Sequence, residues 1–347
     1  TINGDHRFDD RWTDWSPAAI AAREAADRAA LQQVRAIDRR ALPPALQADY
    51  DVFVWLMQTN VERQRFREWL EPIDHRRGVQ AADDIVETAR FESAADYEAY
   101  LRRLAALPVL VVQTVALMRQ GLAAGQVPPR VLMERVSAQI ARQVVADAVQ
   151  SPFYRPLQRL PEAVPVAQAQ ALQARAQALI REQVVPEYRT LQVFFDGEYL
   201  PRTRRTTAIT ERPDGRAYYD FLARYYTTTD LTPERVHAIG LAEVARLEQA
   251  MERVKAETGF AGSMAEFFTF LRTDPRFFRR TPAELLDTYR AVAKRIDPEL
   301  VKVFRTLPRQ PYGVRPIPDN VAPDTTAAYY QFGAIDGTRA GYFYVNL

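Results

Sequence analysis

The sequence predicts a mainly α fold with a small β element near its C-terminal end. Three observations predict it. Ser or Thr caps followed by a first-turn proline, or by an acid three positions on, recur through most of the 347 residues. Behind those caps, apolar residues fall at three- and four-residue steps. Strand-like patterning gathers only at the end, where Gly341-Tyr342-Phe343-Tyr344-Val345-Asn346-Leu347 follows a turn signal at Asp336-Gly337.

Taken in order, Ser16-Pro17 opens an alanine-rich helix to about Arg40, and Leu42-Pro43-Pro44 breaks it. A second helix runs through Val52, Trp55, Leu56 and Thr59 to about Leu70. Ser93-Ala94-Ala95-Asp96 caps a third, which carries Tyr97, Tyr100, Leu101 and Leu104. Helices then occupy 108–124, 128–149 and 166–184, and residues 186–200 continue helical before a loop over 201–213. Thr232-Pro233-Glu234 starts a long helix whose Val236, Ile239, Val244, Leu247, Met251 and Val254 make one apolar stripe. Ser263-x-x-Glu266 and Thr281-Pro282-x-Glu284 read as capping boxes, and Asp297-Pro298 restarts a short helix. Prolines between 307 and 323 are too dense for regular structure. Two strands, 329–332 and 341–347, then join across Asp336-Gly337. The division predicted is a helical subdomain over 1–160 and a second over 161–347 that ends in the β element. Both belong to one continuous domain that is itself truncated.

Composition bounds the function. Hydrophobic content of 47% with 26% charge belongs to a globular chain that buries a core. The net charge of +2 gives no reason to expect nucleic acid as a partner. Absence of cysteine excludes disulfides, thiolate metal sites and cysteine nucleophiles. The most apolar stretch, residues 108–118, is too short to cross a membrane and reads as a buried helix.

Few residues offer chemistry. The three histidines, His6, His75 and His237, stand apart, and no H-E-x-x-H pair exists. Glu234-x-x-His237 is half of a di-metal helix motif, and the first turn of a capped helix explains Glu234 equally well. No G-x-S-x-G elbow or phosphate loop occurs, and the few serines sit mostly where helices begin. Asp83-Asp84 and Asp9-Asp10 are neighbours in sequence, which do not face one another on a helix or strand. Tyrosines cluster late, at 218–219, 225–226, 329–330, 342 and 344. In a strand, Tyr342, Tyr344 and Asn346 share one face, polar-aromatic and open to a ligand. Phe343, Val345 and Leu347 share the other, directed at a core.

Several blocks stand in order along the chain. They are Gly4-Asp5-His6-Arg7-Phe8-Asp9-Asp10 with Asp14-x-Ser16, Gly215-x-x-Tyr218-Tyr219, and Leu231-Thr232-Pro233-Glu234-x-x-His237-x-x-Gly240-Leu241. Further on come Phe270-Leu271-Arg272-Thr273-Asp274-Pro275-x-Phe277, Leu307-Pro308-x-x-Pro311-Tyr312-x-Val314-x-Pro316-x-Pro318, and Asp336-Gly337-x-Arg339-x-Gly341-Tyr342-Phe343-Tyr344-Val345-Asn346. Together these blocks resemble a bacterial family known as domain-of-unknown-function family eight-eight-five.

The resemblance implies a multi-helix, zincin-like peptidase scaffold whose helices wall a deep cleft admitting short peptides. It implies zinc for the complete protein, held by an H-E-x-x-H helix beyond the last strand and by a third ligand further on. None of those ligands falls on a residue of this sequence, which resembles the family's front and middle portion. The remainder of the same polypeptide is therefore an expected partner. The resemblance also implies an edge strand that pairs with an extended peptide by β-addition. Gly341, Tyr342, Tyr344 and Asn346 are the candidate substrate contacts there. His237 joins them as a candidate, although its stripe-bearing helix also fits a buried, hydrogen-bonded histidine. The competing reading is a non-catalytic helical module that binds a peptide or protein through the late tyrosine-rich surface.

Overall fold

The computed structural model describes residues 5–319 and 321–347, so Gly4 of the first family-like block lies outside the described residues. The helices are α1 (Pro17–Arg35), α2 (Pro44–Arg63), α3 (Ile85–Thr88), α4 (Ala94–Ala105), α5 (Leu107–Ala123), α6 (Arg130–Arg142), α7 (Val166–Leu179) and α8 (Val185–Phe194). After them come α9 (Gly215–Thr227), α10 (Pro233–Glu257), α11 (Met264–Thr273), α12 (Pro282–Ile296) and α13 (Leu300–Val303). Three strands close the chain: β1 (Tyr312–Pro316), β2 (Ala328–Gln331) and β3 (Gly341–Val345).

The cap signals act as read. The Ser16 hydroxyl accepts the Ala19 N–H, and Ser93 with Asp96 forms a reciprocal capping box, as does Ser263 with Glu266. Thr281 accepts the Glu284 N–H, but Glu284 turns its carboxylate to the Arg280 N–H, so that box closes one residue early.

Three boundaries differ for local reasons. The first helix stops at Arg35, because Asp38 caps a separate turn at Arg39–Ala41. The second stops at Arg63, ahead of Arg67 in the left-handed region at φ 46°. The helix expected to reach 149 ends at Arg142, where the buried Gln143 amide turns inward to the Gln80 carbonyl and the Asp83 carboxylate.

Helices α7 and α8 run on as one, with wide π turns at Ile180–Val184 and Phe195–Tyr199. Pro186 and Pro201 stand just beyond those turns. Each lacks an N–H and crowds the carbonyl four residues back, so the helix widens there without breaking.

The described chain divides into two compact units, Thr1–Tyr225 and Tyr226–Leu347. The break therefore comes after Tyr225, not after residue 160. Residues of α7 and α8, among them Leu172, Ala176, Tyr188 and Leu191, share one core cluster with Leu101 and Leu104 of α4, Met118 of α5 and Ile140 of α6. Residues 94–123 are long and apolar enough by composition to cross a membrane. Here Leu101, Leu104, Leu107, Val111, Leu117 and Met118 from that stretch are buried in the first unit.

The second unit ends in a three-stranded sheet of order β1-β3-β2. The antiparallel pairing of β2 with β3 matches the two strands expected, and Gly337 turns the chain between them at φ +81°. Strand β1 corrects the expectation of irregular chain over 307–323. It pairs parallel with β3, Tyr312 opposite Gly341 and Val314 opposite Phe343. Its prolines stand at or beside its ends, and on an edge strand alternate N–H groups point away from the partner, so proline costs little.

Candidate functional site

The late tyrosine run builds a defined surface on this sheet. With β3 central, its residues meet β1 on one side and β2 on the other. Gly313 sits opposite Tyr342, and a side chain at Gly313 would strike the Tyr342 ring at 2.8 Å. On the other face, a Cβ at Gly341 would run into the Tyr330 hydroxyl. Both glycines are there because an aromatic ring occupies the space a side chain would need.

Tyr342 carries the Arg315 guanidinium 3.6 Å from its ring centre, and the same arginine donates to its hydroxyl at 2.7 Å. This pairing holds a cation and a phenol side by side, with Arg315 exposed. Tyr344 stacks on Tyr329 with ring centres 5.0 Å apart and meets Tyr342 edge-on at 6.2 Å. The opposite face packs toward α12: Tyr289 lies 6.0 Å from Phe343, and the Tyr312 hydroxyl donates to the Ala293 carbonyl and the Asp297 carboxylate.

These positions revise the expected site. Strand β3 is not an edge: both its sides are already paired, so no peptide can add to Gly341–Val345. Tyr344 is 3% exposed, so the face expected to greet a ligand is closed at its centre. Asn346 donates its amide to the carbonyl of Ala322 at 2.8 Å and tethers the loop before β2. Of the four, Tyr342 alone keeps partial exposure together with a cationic neighbour. His237, a candidate contact that also fitted a buried histidine, is exposed on α10, which buries none of its residues.

The family-like blocks elsewhere hold local structure. Asp14 accepts from the Ser16 N–H and from the Gln113 amide, pinning the start of α1 to α5. Asp274 accepts from the Arg276 N–H and pairs with its guanidinium at 2.8 Å. The Tyr218 hydroxyl donates to Glu68 at 2.9 Å, while its ring supports Arg212 at 4.3 Å.

Arg212 belongs to a buried polar cluster that the sequence did not announce. Its guanidinium pairs with Glu71 at 3.3 Å and donates to the Phe66 carbonyl at 3.1 Å. The Tyr199 hydroxyl is buried and has no hydrogen-bond partner among the described residues. Desolvation, with the charge of Glu71, raises its pKa. The signal was long-range pairing across some 140 positions, which no sequence spacing carries.

A second acidic locus lies at Asp83, Asp84 and Glu87. Burial raises the Asp83 carboxyl despite the Gln143 amide 2.7 Å away. Asp84 keeps solvent contact, yet desolvation by the groups packed round it, with the charges of Asp83 and Glu87, pushes it up to about 7. Glu87 is drawn off to Arg155 at 2.6 Å.

Among the described residues no group of three His, Cys, Asp or Glu side chains converges to hold a metal ion. The described side chains therefore offer no zinc site of their own, and the ligands that the family resemblance implies fall on none of them. His6 pairs with Asp9 at 2.7 Å, and His75 lies elsewhere in the first unit with its Nδ1 buried.

Comparison with known proteins sets these observations in a family. A family model described as "Bacterial protein of unknown function (DUF885)" matches residues 1–347. A solved structure described as "the putative lipoprotein from Colwellia psychrerythraea" superposes with a TM-score of 0.85 at 20% identity. The match covers 96% of this chain and 60% of that one, so this chain spans under two thirds of the length of the structure it resembles. At that identity the likeness establishes the fold. No curated protein matches the sequence.

Proposed function

From the premise that this chain belongs to the DUF885 family of bacterial proteins, we propose that it is the helical front portion of a zinc-dependent metallopeptidase acting on short peptides. On this reading the metal site lies in polypeptide beyond these residues. What supports the reading is the resemblance of the ordered sequence blocks to that family, whose match runs over residues 1–347, together with the apolar side chains that the second unit leaves exposed. Because the described side chains do not converge on a metal, no catalytic step is assigned to any of them. Their role is to shape and position, with Tyr342 and Arg315 as donors that a peptide carbonyl or carboxylate would accept.

The test compares this 347-residue chain with the polypeptide read through to the gene's own stop codon. The extended protein is expected to retain stoichiometric zinc and to cleave short peptides in a chelator-sensitive way, and the shorter chain to retain none after dialysis. An extended protein with neither zinc nor hydrolysis sinks the proposal. A second reading, a non-catalytic module for a peptide or protein, is favoured by the same uncovered surface. It predicts saturable peptide binding by both forms with no turnover.

A further inference from the structure

Helix α10 is 25 residues long and amphipathic, yet buries none of them. His237, Gly240, Val244, Leu247, Met251 and Val254 alternate at steps of three and four, which is the spacing of a coiled-coil seam. Val244 is 54% exposed, Leu247 48% and Val254 53%. A side chain added at Gly240 would meet nothing within 4 Å, so the first turns of the seam offer close approach to another backbone. The seam is about 25 Å long at 1.5 Å per residue, enough to seat one partner helix of roughly five turns.

Its rim is acidic. Glu243, Glu248 and Glu257 stand at the positions directly flanking the row, where Lys255 is the one cation, itself paired to Glu252 at 2.7 Å; Arg246 and Arg253 lie one position further out. Glu243 is held by Arg246 at 2.8 Å, whereas Glu248 and Glu257 make no hydrogen bond or ion pair among the described residues. The occupant that fits is an apolar helix with basic flanks. A second copy of α10, parallel and in register, would set Glu243 against Glu248, two acids at the rim.

We propose that the α10 seam is the seat of one amphipathic, basic-flanked helix supplied by a further segment of the same polypeptide. The proposal rests on the reading above that this chain is a portion of a longer protein. The structure it resembles carries 40% of its length outside the matched region. The second unit has the surface to receive such a segment, since only five hydrophobic side chains are buried among its described residues.

The chain contains no cysteine, so a single introduced thiol is a clean reporter. Leu247→Cys places it on the seam, and Gln249→Cys places it on the opposite, exposed face of the same helix. Thiol labelling is measured for both variants in the 347-residue chain and in the polypeptide extended to the stop codon. In the shorter chain both sites are expected to react alike. In the extended protein the reaction at 247 should slow by at least about tenfold, while that at 249 is unchanged.

Equal reactivity at 247 in both forms overturns the proposal, and so does a stop codon directly after Leu347. Protection of 247 in the shorter chain that grows with protein concentration assigns the seam to a second copy and likewise overturns it. Zinc content and peptide hydrolysis of the same extended variants separate the two ideas. Protection without hydrolysis keeps the seat and removes the peptidase, and hydrolysis with an unprotected 247 does the reverse.

Discussion

The two units of this chain bury their apolar residues to very different extents. Among the described residues, thirty-five hydrophobic side chains are buried in the first unit and five in the second. The first is a finished core: Tyr97, Phe153, Tyr188 and Phe195 lie under 2% exposed, with α4, α5, α6, α7 and α8 packed around them. The second has well-capped helices and a twice-paired central strand, yet leaves Leu247, Val254, Phe277, Phe304 and Ile335 in solvent. Helix formation and core formation are therefore separable. Caps and propensity suffice to write α10, α11 and α12 as helices, while burial needs a partner surface.

The largest effects are expected in the first unit. Phe153→Ala should cost about 3–5 kcal/mol in denaturant unfolding, because its ring is wholly buried. A loss under about 1 kcal/mol would deny the first unit its core. Arg212→Met should cost about 3 kcal/mol by leaving the Glu71 carboxylate without its cation, and Glu71→Gln in that background should restore part of it.

In the sheet, Gly341→Ala should cost about 1–3 kcal/mol through its clash with the Tyr330 hydroxyl. Tyr330→Ala in the same chain should relieve that cost, measured as recovery of amide protection in β3. If the double variant is no better than the single, the close approach is not what requires glycine.

A smaller effect concerns pH. The Asp84 carboxyl is raised from 3.8 to about 7, so the folded state holds a proton there that the unfolded state releases. Stability should therefore rise as pH falls through about 7 and level off near 3.8. Asp84→Asn should flatten that slope in melting curves taken across the window, and an unchanged slope would remove Asp84 as its source.

Smallest of all, Leu247→Ala in the 347-residue chain should change stability by no more than about 0.5 kcal/mol. A cost of 2 kcal/mol or so would mean that the seam is already covered.

Much of the helical layout was legible because its signals are local. A hydroxyl at Ser16, Ser93 or Ser263 reaches an N–H three residues on, and nothing distant is needed to satisfy it. Strand β1 was not legible, since Tyr312-Gly313-Val314-Arg315 between prolines becomes a strand only by lying beside β3. The candidate site was half legible. Tyr342 keeps the partial exposure that a contact needs, but Tyr344 and Asn346 are packing and tethering residues, and the expected edge strand lies in the middle of its sheet. The burial alternative for His237 failed because an apolar stripe states what a helix can bury, not what covers it.

Helix starts and the lack of cysteine chemistry could be read from the residues alone, since they depend on neighbours within a turn or two or on composition; the family could be read from the order of short blocks along the chain. Strand order, the pairing of Glu71 with Arg212, the division after Tyr225 and the exposure of α10 came from the folded chain. Each of those depends on which surfaces meet across long stretches of chain, and local periodicity carries no record of that.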